Sequence, residues 1–156
     1  MSRHACQVQW QRADDAPFVD NRYSRRHVWR FDGGTEVPAS SSPQVVRVPM
    51  SDPAAVDPEE AFVAALSSCH MLWFLNLAAL AGWCVESYTD DAEGHMRPGA
   101  DGKPWMAEVL LRPHVTFAGE RLPDDAAVQA LHHRAHDECF LARSVKSEVR
   151  VEPAAG

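Results

Sequence analysis

Residues 57–71 read DPEEAFVAALSSCHM, and this stretch decides which fold the sequence predicts. Asp57 is a favourable N-cap residue, and Glu60 stands where the acid of a capping box belongs. The residues that follow are mostly apolar as far as Gly82, a residue type that commonly ends helices. The stretch therefore predicts a long, largely apolar helix that carries a thiol, Cys69, in its body.

Length and charge narrow the class of protein. A chain of 156 residues can bury a sizeable core, so a single domain over residues 1–156 is predicted. The formal net charge of −7 argues against nucleic acid or an anionic membrane as the main partner. No apolar export segment follows Met1, which predicts a cytoplasmic location. In that compartment, cysteines are more often free or catalytic than joined in structural disulfides.

Polar side chains interrupt the longest apolar stretch, Ala61 to Val85. They are Ser67, Ser68, His70 and Asn76. A membrane-spanning helix needs about twenty nearly uninterrupted apolar residues. The stretch is therefore predicted to be the buried helix of a protein core, with no membrane as partner.

Alternating apolar and polar residues flank this helix and predict strands on both sides of it. The predicted strands are residues 4–11, 23–31, 44–48, 84–95, 105–117 and 147–152. Pro113 interrupts the strand over residues 105–117 and suggests an edge or a bulge there. A second helix is predicted over residues 123–137, with acidic residues in its first turn. Elements in this order predict an α+β fold with antiparallel sheet rather than a parallel βαβ winding.

Cys69 is the first candidate for chemistry, because small residues surround it and would let a substrate approach closely. A reactive cysteine must ionise near pH 7, so its pKa must fall from about 8.5. Cys69 lies about three turns inside the predicted helix, where the helix dipole has little effect. An arginine or a protonated histidine from elsewhere is therefore required. The alternative is that Cys69 is an ordinary buried thiol.

Glu59 and Arg25 are the candidates to support a Cys69 thiolate. In one straight helix, the ten residues from Glu59 to Cys69 correspond to about 15 Å of rise and about 80° of rotation, so the two side chains cannot touch. An arginine lying between them could link them. Arg25 is favoured over Arg26 because it shares the more apolar face of its predicted strand, and Arg47 is a weaker candidate.

The histidines predict a different kind of site. His132, His136 and Cys139 are spaced along one helical face, and Cys69 or His70 could complete a tetrahedral zinc site of nitrogen and sulfur ligands. A Cys-x-x-Cys pair is missing, so the pattern is a weak signal for zinc. In the alternative reading, Cys139 is a buried thiol and most of the histidines lie at the surface.

Two segments together resemble a known family. Pro58-Glu59-Glu60 is followed by an Ala-rich turn and Ser68-Cys69, and a second cysteine ends Ala135-His136-Asp137-Glu138-Cys139. This arrangement resembles the OsmC/Ohr family of organic hydroperoxide reductases over almost the whole chain in element order. Ser68-Cys69-His70-Met71-Leu72 is similar to an OsmC-like branch of that family. Phe140 follows the second cysteine here, at a position where the family often has proline.

The resemblance implies an OsmC-like α+β fold in which antiparallel sheets pack around a long central helix. It also implies an intertwined homodimer with active sites at the subunit interface and no cofactor. Within each site it implies a peroxidatic Cys69, a resolving Cys139 and an Arg–Glu pair around the thiolate. We assign that pair to Arg25 and, by its position, to Glu59.

The function implied by the resemblance is that of a thiol peroxidase. An organic hydroperoxide would oxidise Cys69 to a sulfenic acid and leave as an alcohol, and Cys139 would then close a disulfide. An external dithiol or lipoyl reductant would restore both thiols. Two alternatives stay open: a non-catalytic OsmC-like dimer that binds an apolar ligand, and a Cys/His zinc-binding protein.

Overall fold

Helix α1 (Pro58–Leu80) is the central element of the computed structural model, which describes residues 2–153. The chain divides into two units, Met1–Ala61 and Phe62–Gly156, so the single domain remains a prediction. The α+β class is confirmed. In chain order the elements are β1 (Cys6–Gln9), β2 (His27–Phe31), β3 (Glu36–Ala39), α1 (Pro58–Leu80), β4 (Cys84–Asp90), β5 (Glu93–Pro98), β6 (Pro104–Leu111), β7 (Pro113–Ala118), α2 (Asp125–Glu138), a short 3₁₀ helix (Ala142–Ser144) and β8 (Glu148–Val151).

The first unit contains a three-stranded antiparallel sheet in the order β1–β2–β3. A tight turn joins β2 to β3, and Gly34 takes the positive φ of 87° that favours glycine in such a turn. The chain therefore returns at once, and Glu36 pairs with Arg30 in the ladder.

The strand predicted over residues 44–48 is wrong. These residues form successive turns, in which the N–H groups of Val45 and Val46 both donate to the carbonyl of Ser42. Their β-branched side chains are typical of strands, but Val45 is 66% exposed and Val48 is 57% exposed. Without burial on one face, strand propensity alone does not fix a strand.

Both ends of α1 form as the sequence predicts. The Asp57 N–H donates to Glu60 Oε1 and the Glu60 N–H donates to Asp57 Oδ1, each at 2.8 Å, which makes a reciprocal capping box. At the other end Gly82 has φ 78°, and the Trp83 N–H donates to the Ala78 carbonyl at 2.9 Å. These bonds satisfy backbone groups that a helix end leaves free.

The second unit contains two sheets. β4 and β7 form an antiparallel pair, and the other three strands form a sheet in the order β5–β6–β8. β5 pairs with β6 antiparallel, whereas β8 runs parallel to β6. Among the named strands of residues 2–153, antiparallel pairing thus holds except at this parallel edge.

Two strands that the sequence predicts, residues 84–95 and 105–117, are each broken in two, and the second break falls at Pro113, where the sequence predicts an interruption. Both breaks lie at one junction, where the Arg112 N–H donates to Asp90 Oδ1 at 2.6 Å. The next residue, Pro113, cannot donate a ladder hydrogen bond. The chain changes sheet at these points; side-chain alternation continues through the break after Asp90, whereas Pro113 marks the second break.

Helix α1 contributes to two buried clusters in the second unit. The first cluster joins α1 to α2 and to the β4–β7 sheet; its buried members are Phe74, Leu77, Ala78, Leu131 and Ala135. The second cluster joins α1 to the β5–β6–β8 sheet; its buried members are Val63, Leu66, Val109 and Leu111. Because α1 buries side chains in both clusters, its position relative to the sheets of this unit is fixed along most of its length.

Candidate active site

Cys69 borders a cavity of about 410 Å³ whose walls are mainly apolar. The other lining residues are Leu72, Trp73, Asn76 and Phe140. Those on α1 follow Cys69 at the spacing of one helical face. Cys69 itself is half-buried, so its thiol can meet a molecule that enters the cavity.

Cys139 caps the C-terminus of α2 and is 1% exposed. Burial is the main cause that raises the pKa of its thiol to about 11, and a hydrogen bond with the Cys69 side chain is the second. The Ala142 N–H, 3.4 Å from Cys139 Sγ, acts in the opposite direction. The structure therefore brings the two predicted redox cysteines together, both as free thiols.

An aromatic pair forms one wall of the Cys69 cavity. Trp73 and Phe140 meet edge to face, with ring centroids 5.5 Å apart and an interplanar angle of 83°. Phe140 directly follows Cys139 and is 66% exposed, although it is a large apolar residue. The wall therefore joins α1 to the segment that carries the second thiol.

His70 lies in a different environment from its neighbour Cys69. It is 1% exposed, and its Nε2 lies 3.1 Å from Nδ1 of His132, which is 4% exposed. The two rings are parallel within 4°, and Phe74 stacks on His132. The second nitrogen of each ring, His70 Nδ1 and His132 Nε2, has no hydrogen-bond partner among the described residues.

Burial keeps this histidine pair neutral. It lowers the pKa of His70 to about 3, with smaller contributions from the charges of His132 and His136, and it lowers the pKa of His132 to about 4. At neutral pH both rings are therefore uncharged, and one donates its proton to the other across the 3.1 Å contact. The pair is a polar contact between α1 and α2, and it cannot supply the cation that a thiolate needs.

The zinc site predicted from the histidines is wrong. Residues 2–153 contain no group of three or more His, Cys, Asp or Glu side chains placed to hold a metal ion. His132 uses Nδ1 for its contact with His70, and His70 is buried while Cys69 borders the cavity. The predicted ligands fall into two separate pairs instead, because His132 contacts His70 whereas Cys139 contacts Cys69.

Arg25 lies in the first unit, just before β2 rather than within it. Its guanidinium donates to the Asn21 carbonyl at 3.0 Å and to Asn21 Oδ1 at 2.6 Å, and it lies 3.7 Å from the centre of the Tyr23 ring. Its neighbour Arg26 is more exposed and forms an ion pair with Asp52 at 2.9 Å. Arg25 is thus the more buried of the two arginines, as predicted.

Glu59 also lies in the first unit, in the first turn of α1, and is half-buried. The predicted Arg25–Glu59 ion pair is not formed within the part of the chain that the structure describes, residues 2–153. Arg25 binds Asn21 and Tyr23 instead. The assignment of both residues to a thiolate-supporting pair remains a prediction.

Sequence reasoning missed two residues of the cavity, Leu72 and Asn76. Both follow Cys69 on the same helical face, so their spacing of three and seven residues was the available signal. Conversely, Leu66 and Phe62, which precede Cys69 on α1, do not line the cavity: Leu66 is buried in the second core cluster and Phe62 packs against it.

Comparison with known proteins identifies the fold. The model of the OsmC-like protein family matches residues 51–154. An OsmC-like protein of unknown function from Vibrio cholerae is 52% identical, and its structure matches with a TM-score of 0.97 over 99% of this chain and 100% of that chain. No curated protein matches the sequence.

More distant structures share the fold alone. An organic hydroperoxide resistance protein OsmC from Legionella pneumophila is 13% identical, with a TM-score of 0.69 over 99% of this chain and 98% of that chain. The organic hydroperoxide resistance protein OhrB of Bacillus subtilis is 14% identical, with a TM-score of 0.68 over 98% of each chain. The resemblance drawn from the two cysteine segments is confirmed, and the chain belongs to the OsmC-like protein family.

Proposed function

We propose that this protein is a cysteine-based peroxidase that reduces organic hydroperoxides to alcohols. The observation that carries the proposal is the pair of free thiols in the second unit, Cys69 beside an apolar cavity and Cys139 buried next to it. Relatives of the same fold that are named organic hydroperoxide resistance proteins support the choice of substrate class.

The first chemical step takes place at Cys69. Its thiolate attacks the distal oxygen of the hydroperoxide, so an S–O bond forms while the O–O bond breaks. The departing alkoxide takes up a proton and leaves as an alcohol, and Cys69 is left as a sulfenic acid. The apolar walls of Leu72, Trp73 and Phe140 suit the carbon body of such a substrate better than they suit hydrogen peroxide.

The second step uses Cys139. Its sulfur attacks the sulfur of the Cys69 sulfenic acid, an S–S bond replaces the S–O bond, and water leaves. The Ala142 N–H, 3.4 Å from Cys139 Sγ, would stabilise the negative charge that develops as this thiol loses its proton. An external dithiol or lipoyl reductant then exchanges twice with the disulfide and becomes oxidised itself.

A cation near Cys69 completes the proposal. We assign it to Arg25, oriented by Glu59, in a homodimer of the kind that the family resemblance implies. Glu59 lies half-buried without an ion pair within residues 2–153, so its carboxylate is free to take an arginine. Replacing Arg25 with alanine should slow the alkylation of Cys69 by iodoacetamide at neutral pH, because the thiolate loses its supporting cation, whereas Arg26→Ala should not.

Peroxide consumption by the purified protein tests the function. With cumene hydroperoxide and dithiothreitol or dihydrolipoamide, we expect turnover by the wild type and by Cys84→Ser, an exposed cysteine that serves as the matched control. We expect no turnover by Cys69→Ser. Cys139→Ser should accumulate a sulfenic acid on Cys69 that dimedone traps. Full activity of Cys69→Ser would overturn the assignment.

A second candidate is a non-catalytic dimer that binds an apolar ligand, and the same cavity favours it. The two candidates differ in one product. Peptide mapping without reduction, after treatment with cumene hydroperoxide, should reveal a Cys69–Cys139 disulfide if the protein is a peroxidase. If no peroxide is consumed and no such disulfide forms, ligand binding becomes the better account.

A further inference from the structure

Asn76 stands out among the residues that line the Cys69 cavity. The other side chains besides the thiol are Leu72, Trp73 and Phe140, so the Asn76 carboxamide is the polar group of these walls. It is exposed and therefore available to a bound molecule. A carboxamide has two N–H donors and one acceptor oxygen, so it can hold a hydroxyl, carbonyl or carboxylate oxygen.

The helix fixes the spacing between the thiol and this amide. Seven residues separate Cys69 from Asn76, which is close to two full turns, so the two side chains share a face. The rise over seven residues is about 10 Å along the helix axis. Leu72 and Trp73 occupy the intervening turn, so the surface between the two polar ends is apolar.

We propose that Asn76 is a specificity-determining residue that selects hydroperoxides with a second oxygen about 10 Å from the peroxide group. This proposal rests on the proposed peroxidase function, because it assumes that the peroxide lies at Cys69. The carbon body of the substrate lies along Leu72 and Trp73, and its distal oxygen accepts a hydrogen bond from the Asn76 amide. The site thereby selects substrates by the distance between their two oxygenated groups.

Two isomers of linoleic acid hydroperoxide test this spacing. In the isomer with the peroxide on the ninth carbon, eight carbon–carbon bonds separate the peroxide-bearing carbon from the carboxyl carbon. In the isomer with the peroxide on the thirteenth carbon, twelve bonds separate them, so its span is longer. Cumene hydroperoxide lacks a second oxygenated group. In Asn76→Leu, we expect kcat/KM for the ninth-carbon isomer, relative to cumene hydroperoxide, to fall about tenfold, as expected for one lost hydrogen bond.

The controls separate anchoring from packing. Asn76→Gln keeps the amide and should restore part of the ratio, while Leu80→Ala, an exposed position on the same helix outside the cavity, should leave the ratio unchanged. In Asn76→Leu, kcat/KM for the thirteenth-carbon isomer should fall less than kcat/KM for the ninth-carbon isomer. Equal losses for all three peroxides in Asn76→Leu, or no loss for any, would overturn the proposal.

A binding measurement decides the proposal even if no peroxide is consumed. Cys69→Ser cannot react, so calorimetry can measure its affinity for the corresponding ninth-carbon hydroxy acid. We expect Kd to rise about tenfold when Asn76→Leu is added. If Kd rises but the wild-type protein consumes no peroxide, the proposed peroxidase function is refuted, whereas the role of Asn76 in binding the second oxygen is supported. An unchanged Kd together with active wild-type protein would refute the anchor and keep the peroxidase.

Discussion

Two adjacent residues of α1, Cys69 and His70, differ in every property that matters for chemistry. Cys69 borders a cavity whose apolar walls include the exposed side chains of Leu72 and Phe140. His70 is buried against His132, with one ring nitrogen of each histidine unpartnered within the described chain. One step along a helix turns a side chain by about 100°, which is enough to move it from the edge of a cavity into the core.

The comparison shows that neighbours in sequence need not share a function. A histidine next to a cysteine suggests a base for the thiol, but here the histidine contacts another helix. The partner that the structure does provide for Cys69 is Cys139, seventy residues later in the chain.

The largest expected effect is that of acid on the buried face of α1, which carries His70: acid should lower the free energy of unfolding. The pKa values of His70 and His132 are lowered from 6.5 to about 3 and about 4, so the unfolded chain binds protons that the folded protein resists. Their contribution to stability is complete above pH 6.5 and is lost as the pH falls toward 4. If the unfolded chain binds two more protons than the folded protein, the free energy of unfolding falls by at most about 2.7 kcal/mol per pH unit. Urea unfolding at a series of pH values measures this slope.

The exposed residue His133 provides the control for that experiment. His133→Gln should leave the slope between pH 6.5 and pH 5 unchanged. If ring-proton NMR instead showed His70 and His132 titrating near pH 6.5 in the folded protein, the conclusion that burial keeps both rings neutral would be wrong.

Replacing two leucines of α1, one buried and one exposed, should change the free energy of unfolding by very different amounts. Leu66 is 2% exposed in the second core cluster, and Leu66→Ala should lower the free energy of unfolding by about 2–5 kcal/mol. Leu72 is 61% exposed on the cavity side, and Leu72→Ala should change it by less than about 0.5 kcal/mol. Similar losses for the two variants would show that the cavity side is packed in solution.

Alkylation should distinguish the buried thiol from an exposed one. The pKa of Cys139 is raised from 9.0 to about 11, so its thiolate fraction at neutral pH falls about a hundredfold. Iodoacetamide labelling followed by mass spectrometry should therefore modify the exposed Cys84 first and Cys139 only after unfolding. Labelling of Cys139 at the rate of Cys84 in the native protein would contradict its burial.

The smallest expected effect is that of changing Phe140 in the aromatic wall on KM. Phe140→Ala removes the edge-to-face contact with Trp73 and should raise KM for cumene hydroperoxide about fivefold, which corresponds to about 1 kcal/mol. Phe140→Leu keeps an apolar side chain and should raise KM less. An unchanged KM in Phe140→Ala would place the substrate elsewhere.

Local chemistry in the sequence predicts α1 well. Asp57 and Glu60 form the capping box, and Gly82 closes the helix with a positive φ, because these signals act between residues close in the chain. The strand break near Asp90 depends on a bond between distant segments, so alternation of side chains could not reveal it, whereas Pro113 signals the break near Arg112. The family resemblance, rather than periodicity, paired Cys69 with Cys139.

The rest of the site depends on three-dimensional packing. The contact between His70 and His132 joins two helices, and a helical pattern alone made the same histidines look like metal ligands. Asn76 could have been found by projecting the helix from Cys69, but a single asparagine in an apolar run does not show which face opens to a cavity. The proposed role of Arg25 in supporting the Cys69 thiolate depends on contacts that its sequence position does not specify.

In the proposed peroxidase, the position of Phe140 next to Cys139 affects how long the protein stays active in excess peroxide. Cys139 must move toward Cys69 to close a disulfide, and it must carry the aromatic wall with it. An alcohol that still fills the cavity opposes this movement and prolongs the life of the sulfenic acid. A second peroxide could then convert Cys69 irreversibly to a sulfinic acid. Bulky, slowly leaving products should therefore inactivate the protein in fewer turnovers than small ones.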